Sequence, residues 1–220
     1  MNEEFKAFEA GWPGNETVCG WGSTVENTRD ICRDLPNLIK GFGIKSMNDA
    51  GCGDLNWIRH IDFHSLGVKY VGYDLYERES WKELRQIYDG TKFGCSNPKH
   101  DSTFCRVWDL RIADITTTVL PPADLVMCRD VMIHLPNYEV MNVIENLRKS
   151  HSYLLATSFT SPGDNDADYS FCNEERIREV SMKHSKLDLR LPPFNLGQPI
   201  AVTVENYPYK TTSLWNLSQV

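Results

Sequence analysis

At 220 residues, with 41% hydrophobic and 24% charged side chains, the chain is long enough to bury one sizeable core and ordinary enough to fold as one domain. A net charge of −7 removes the bulk positive field that drives nonspecific nucleic-acid binding, although a local basic patch is compatible with it. No run approaches the roughly 20 apolar residues of a membrane span. The acidic start MNEEFKAFEA lacks the basic-then-apolar pattern of a secretion signal, so a cytoplasmic location is expected.

Gly11-Trp12-Pro13-Gly14 is turn chemistry, and the Asn15-Glu16-Thr17 sequon carries no weight without a secretory signal. Ser23 to Glu26 fits a capping box, which predicts a following helix with Val25, Ile31, Leu38 and Ile39 toward a core; Pro36 should kink or divide it. Residues 1–45 thus read as an N-terminal helical lid, or equally as a cover for a sheet edge, and residues 46–220 as the main domain.

The stretch Lys45 to Trp57 organises the rest. A short strand runs into Gly51-Cys52-Gly53, where glycine permits positive φ and leaves no Cβ between backbone and ligand. Asp54 suits the first turn of a following helix. By itself the run fits a tight strand-to-helix turn without a ligand equally well. Lys69 to Leu75 reads as a second strand, Glu77 to Tyr88 as a helix, and Phe104 to Leu110 as a third strand reached through the polar loop Gly90 to Ser102. Asp124 to Cys128 reads as a fourth strand behind Pro121-Pro122. The stripe Val140, Met141, Val143, Ile144, Leu147 marks a helix over Tyr138 to Lys149, and His151 to Phe159 a fifth strand. Strand-helix alternation predicts an α/β, Rossmann-like, mostly parallel sheet with helices on both faces. After the loop Ser161 to Asp168, a helix is expected near Glu174 to Met182. Ile200 to Val204 and Thr212 to Leu217 are joined too closely for a parallel crossover and should form an antiparallel C-terminal strand pair.

The seven cysteines read mainly as small buried residues. Cys95, His100 and Cys105 lack both a fourth ligand and a tight Cys pair, so no metal site is expected.

Asp49, Asp74 and Asp109 stand at or near strand ends, which in a doubly wound sheet line the ligand crevice. Asp74, about twenty residues beyond the glycines, has the spacing of a ribose-binding carboxylate. Asp109 could accept from an adenine amino group, with Trp108 and Leu110 against the ring.

Here a resemblance becomes specific. DAGCGD, GYD, WDL and DLVMCRDVMIHLP resemble a class I S-adenosylmethionine-dependent methyltransferase, a family whose seven-stranded sheet the five parallel strands and terminal antiparallel pair match. GSTVENT, CGDLNW, CRDVMIHLP, LPPF and LWNL are similar to a bacterial and phage-type group within it, covering the chain from about residue 20. Leu55 stands where a third glycine often occurs. The resemblance implies S-adenosylmethionine as cofactor. Asp49, Gly51, Cys52 and Gly53 would border its methionine part, Asp74 with Leu75 the ribose, and Asp109 with Leu110 the adenine, with Asp114 competing for that contact. Cys128 and Arg129 would approach the amino-acid moiety, and Ser23 and Thr28 its carboxylate.

Asp130 and His134 follow the fourth strand. If Val131 begins a helical turn they share one face, with His134 as general base and Asp130 orienting it or acting on the acceptor. The bland alternatives are a capping His134 and an Arg129–Asp130 structural ion pair. Arg190, Asn195, Glu205 and Trp215 either shape an acceptor pocket or belong to a loop packed on the sheet. The expected activity is methylation of oxygen or nitrogen on a small-molecule, sugar, glycan-type or phosphorylated acceptor. The alternatives are a nucleobase methyltransferase, which lacks its N-P-P-Y, D-P-P-Y or P-C signatures here, and a protein that binds or degrades the cofactor. An NAD oxidoreductase is disfavoured by the incomplete G-x-G-x-x-G.

Overall fold

The computed structural model describes residues 16–88, 108–160, 165 and 186–219. The expected turn at Gly11–Gly14, the sequon's Asn15, the Cys95, His100 and Cys105 trio, residues 104–107 and the helix at Glu174–Met182 lie outside them.

Five strands form the parallel part of the sheet: β1 (Ser46–Ala50), β2 (Lys69–Asp74), β3 (Asp109–Ile112), β4 (Ala123–Cys128) and β5 (His151–Phe159). With β6 (Ala201–Val204) and β7 (Lys210–Asn216) they make a seven-stranded sheet of order β3-β2-β1-β4-β5-β7-β6. β7 runs antiparallel to both β5 and β6, as their short connection requires. β1 pairs with β2 on one side and β4 on the other. The strand order reverses between them, so the crevice at their carboxyl ends is the switch point where α/β sheets hold ligands.

Alternation along the strands separates two cores. Met47, Tyr70, Leu125, Met127, Leu155 and Leu214 face one side, under α1 (Arg29–Gly41) and α2 (Glu79–Tyr88). Ala50, Val71, Val126, Cys128, Leu154 and Trp215 face the other, against α3 (Asn137–Arg148). A sheet buried on both faces is why its strands read as near-continuous apolar runs.

The structure departs from expectation in five places. Ser23 does not cap α1: it ends a 3₁₀ turn, Trp21–Ser23, and the helix starts only at Arg29, with Thr28 before it. Val25 is therefore exposed, while Ile31, Leu35 and Ile39 carry the buried face. Pro36 sits inside α1 without dividing it, since Leu35 and Ile39 on either side are anchored in the core. Through Ile31, Leu35 and Ile39, α1 packs on one face of the sheet. Among the described residues no α-helix follows β1. The crossover to β2 holds only a 3₁₀ turn, Ile58–His60, and covers the sheet with Leu55, Trp57, Ile58, Ile61 and Phe63 instead. β3 begins at Asp109 rather than ending near it, and Met141 on α3 faces outward. No helix among the described residues is long and apolar enough to cross a membrane.

Candidate functional site

The turn after β1 is shaped by its glycines. Gly51 has φ 96°, and a Cβ there would lie 2.1 Å from Val131 Cγ2; Gly53 has φ 61°, with Cys19 Sγ 2.6 Å from the same position. The Gly51 and Cys52 amides both donate to the Tyr73 carbonyl, at 2.7 and 3.0 Å. The Gly53 amide donates to Asp74 Oδ2 at 2.8 Å, and its carbonyl accepts from the buried Trp81 indole at 2.7 Å. Leu55, at the third-glycine place, also has positive φ, 63°, and is buried. The backbone there keeps the left-handed conformation without the residue that tolerates it best.

Asp74 ends β2 beside this turn. Its Oδ1 accepts from the Leu75 amide at 2.7 Å and from Arg78 at 3.3 Å, and the Arg78 guanidinium lies 4.1 Å from the centre of the Tyr76 ring. Leu75 is exposed next to it. Asp49 lies beneath, buried, accepting the Tyr70 hydroxyl at 2.7 Å. Burial pushes its carboxyl up to about 7, raised further by Asp74 and opposed by the Tyr70 hydrogen bond and by Arg129.

Asp109 is not brought to this edge. It pairs in register with Val71, whereas Asp74 pairs with Ile112, and its carboxylate is held by Arg111 in an exposed ion pair. Leu110 is buried against Cys52 and Gly72. Asp114 lies just past the end of β3, whose last residue, Ile112, pairs with Asp74. Its Oδ1 accepts from the amide and hydroxyl of Thr116, at 2.9 and 2.6 Å.

At the end of β4, Cys128 is fully buried, and burial pushes its thiol up to about 12. Arg129 is buried as well. It grips Glu205 with two hydrogen bonds, Nε to Oε1 at 3.0 Å and Nη2 to Oε2 at 2.6 Å, and pairs with Asp130 at 3.2 Å. Lys210 closes the cluster, 2.6 Å from Asp130 and 3.0 Å from Glu205. Thr157 donates to Asp130 Oδ1 and accepts from its amide; Thr212 donates to Glu205. Despite the desolvation that opposes ionisation, Arg129 and Lys210 hold the Asp130 and Glu205 carboxyls below their ordinary values.

This overturns the paired geometry expected for Asp130 and His134. Asp130 is left-handed, φ 56°, and a 3₁₀ turn, Met132–His134, follows it, so the two do not share an α-helical face. Asp130 is engaged inward, while His134 is exposed on the turn. In the tail, the candidate acceptor-pocket side chains have partners within the chain. Glu205 is the counter-ion of Arg129, Trp215 is core with its indole on the Gly197 carbonyl, Arg190 pairs with Asp188, and Asn195 bonds the nearby Pro193 carbonyl. Thr28 hydrogen-bonds back into its own turn, and Ser23 contributes its carbonyl to Asn56.

The residues that sequence reasoning missed are those stitching the N-terminal segment to the crevice. Thr17 Oγ1 and the Val18 amide donate to Asp54 Oδ2 at 2.6 and 2.9 Å, and the Asp54 amide donates to Cys19 Sγ. Asn56 Nδ2 donates to Glu16 and to the Ser23 carbonyl. Asp54 thus anchors a distant segment rather than starting a helix. The CGDLNW run contained both anchors, but their partners in the N-terminal segment lie 33 or more residues away, beyond any local pattern.

No family model matches the sequence, and no curated protein matches it. Solved structures do share its architecture. Magnesium protoporphyrin IX methyltransferase (ChlM) from Synechocystis PCC 6803, with bound SAH, superposes with a TM-score of 0.57 at 13% identity, over 97% of this chain and 91% of that one. N,N-8-amino-8-demethyl-D-riboflavin dimethyltransferase (RosA) from Streptomyces davawensis gives 0.56 at 12% identity, over 87% of this chain and 55% of that one. The mitomycin 7-O-methyltransferase MmcR gives 0.54 at 11%, over 84% and 53%, so the chain spans about half the length of these two. At such identities the likeness is one of fold, and the fold of this chain is the Rossmann-like, seven-stranded one of these methyltransferases.

Proposed function

We propose that the chain is an S-adenosylmethionine-dependent methyltransferase acting on oxygen or nitrogen of a small-molecule acceptor. The observation that carries this reading is the direct hydrogen bond from the Gly53 amide to Asp74 across the β1–β2 edge of the switch-point crevice. It fixes a carboxylate able to accept both ribose hydroxyls beside a turn whose glycines admit no Cβ. Gly51, Cys52 and Gly53 would then border the methionine part, Asp74 the ribose and exposed Leu75 an adenine face, with Asp49 as buried support. The register of β3 favours Asp114 over Asp109 for the adenine amino group. The acceptors of the structurally similar proteins, a porphyrin, a flavin and mitomycin, favour a small molecule, and the net charge of −7 disfavours nucleic acid. Sugar-like and phosphorylated acceptors remain within that class.

The cofactor would supply a methyl group already activated on a sulfonium. What the chain must add is alignment and removal of a proton from the acceptor. His134, exposed on the turn after β4, is the group we assign as base. Asp130 is ill suited to it, because two cations and Thr157 hold its carboxylate ionised and weakly basic. We assign it to orientation of the β4 edge.

Calorimetric titration with S-adenosylmethionine and S-adenosylhomocysteine, with NAD as control, tests the reading. Micromolar binding of the first two alone is expected, and failure of both to bind overturns it. Asp74→Ala should lower that affinity at least about tenfold. His134→Ala should retain affinity and lose turnover, and normal methylation by that variant would remove the base assignment.

A further inference from the structure

The segment Glu16–Thr28 lies across the switch-point crevice and is fastened on both of its banks. On the β1 side, Asp54 holds Thr17 and Val18, Cys19 packs on Gly53, and Asn56 holds the Ser23 carbonyl. On the β4 side, Arg129 Nη2 donates to the Gly22 carbonyl at 3.0 Å. Gly22 fits there because it has no side chain: a Cβ would lie 2.8 Å from Asp130 Oδ2 and 3.9 Å from Lys210 Nζ. That carboxylate cannot easily retreat, since Lys210, Arg129 and Thr157 all hold it. The position therefore excludes a methyl group for a reason of contact and not of backbone conformation.

We propose that Arg129 and Gly22 are positioning residues which clamp this segment as the outer wall of the cofactor crevice, Arg129 acting through the Gly22 carbonyl with Glu205 as its counter-ion. The inference rests on the cofactor assignment above and gives Arg129 a role different from direct contact with the cofactor. With Glu205 and Asp130 engaging the other donors of the buried guanidinium, the second Nη2 hydrogen has a fixed direction, toward the Gly22 carbonyl of the strap. Because the strap bridges both banks, a bound nucleoside cofactor leaves only after one fastening opens. Release is then gated by the strap rather than by the pocket contacts alone.

Two variants separate the fastenings from the pocket. Gly22→Ala inserts a methyl against Asp130 on the β4 bank, and Thr17→Val removes the hydroxyl donor to Asp54 on the β1 bank. Hydrogen exchange of the Val18 to Thr28 amides is measured without cofactor, and the dissociation rate of S-adenosylmethionine by stopped flow. Each variant should exchange these amides and release the cofactor about tenfold faster, with the KM for S-adenosylmethionine raised and kcat within about twofold. Thr17→Val covers the case in which Gly22→Ala fails to fold. Unchanged exchange in the folded variants, or faster exchange with an unchanged dissociation rate, overturns the proposal. Absence of S-adenosylmethionine binding in the parent protein instead overturns the cofactor assignment, and is seen separately.

Discussion

At the scale of single residues, Asp49 and Asp130 show how burial alone does not decide the state of a carboxyl group. Both are enclosed, but Asp130 has Arg129 and Lys210 within 3.2 Å, whereas Asp49 has a neutral hydroxyl and the like charge of Asp74 nearby. Desolvation wins at Asp49, raising it from 3.8 to about 7, and loses at Asp130. Between these two values the folded protein keeps a proton on Asp49 that the unfolded chain has released. Its stabilising contribution is therefore complete below pH 3.8 and is lost as pH rises through about 7. Asp49→Asn keeps an oxygen for the Tyr70 hydroxyl and has no proton to lose. Urea unfolding should show the variant gaining on the parent between about pH 4 and pH 7 and levelling off above, by roughly 2–4 kcal/mol at the upper end. A stability difference that stays constant with pH would mean that Asp49 ionises as an ordinary carboxylate does.

At the scale of elements, the loop after β1 carries two opposing terms at Leu55. Left-handed backbone at a residue with a branched side chain costs about 1–2 kcal/mol. Burying that side chain among Trp57, Ile58 and their neighbours contributes about 2–5 kcal/mol, judged from core truncations. The second term is larger, so Leu55→Gly should destabilise by about 1–3 kcal/mol although it relieves φ, and thermal or urea unfolding reads the sign directly. A stabilised variant would show that the strain dominates. The same loop explains what the sequence could and could not disclose. The strands were legible because alternating burial on two faces leaves an apolar signature, and the glycines because their positive φ has few alternatives. The missing helix was not legible, since Leu55, Trp57, Ile58 and Ile61 suit a covering turn as well as a helix. Asp109 was placed too high because Phe104 to Leu110 has strand composition, while register is set by pairing with β2. The helix signal at Ser23 was displaced for a similar reason: Thr24 hydroxyl bonds to Trp21 and Asn27 form a local turn that delays the helix.

At the scale of the whole molecule, the Arg129, Asp130, Glu205 and Lys210 cluster joins parts of the chain that no local pattern connects. Arg129 and Glu205 are 76 residues apart, and Gly22 lies 107 residues from Arg129. The N-terminal strap, the ends of β4 and β5 and the β6–β7 hairpin meet at four charges that balance, two positive and two negative. Removing one of them leaves an uncompensated charge in a largely buried site, which is worth far more than the pair itself contributes. Glu205→Gln should therefore lower stability by about 3–5 kcal/mol. The exposed Lys149–Glu145 pair on α3 provides the contrast, and Glu145→Gln should change stability by less than about 1 kcal/mol. Both variants are to be unfolded in urea with far-UV circular dichroism and tryptophan fluorescence as probes. Because the cluster ties the two chain ends to the centre of the sheet, Glu205→Gln should shift both probes together and leave the transition a single one. Separated transitions would show that the strap and hairpin unfold apart from the sheet. Equal effects of the two substitutions would show that the cluster, for all its burial, contributes no more than a surface pair.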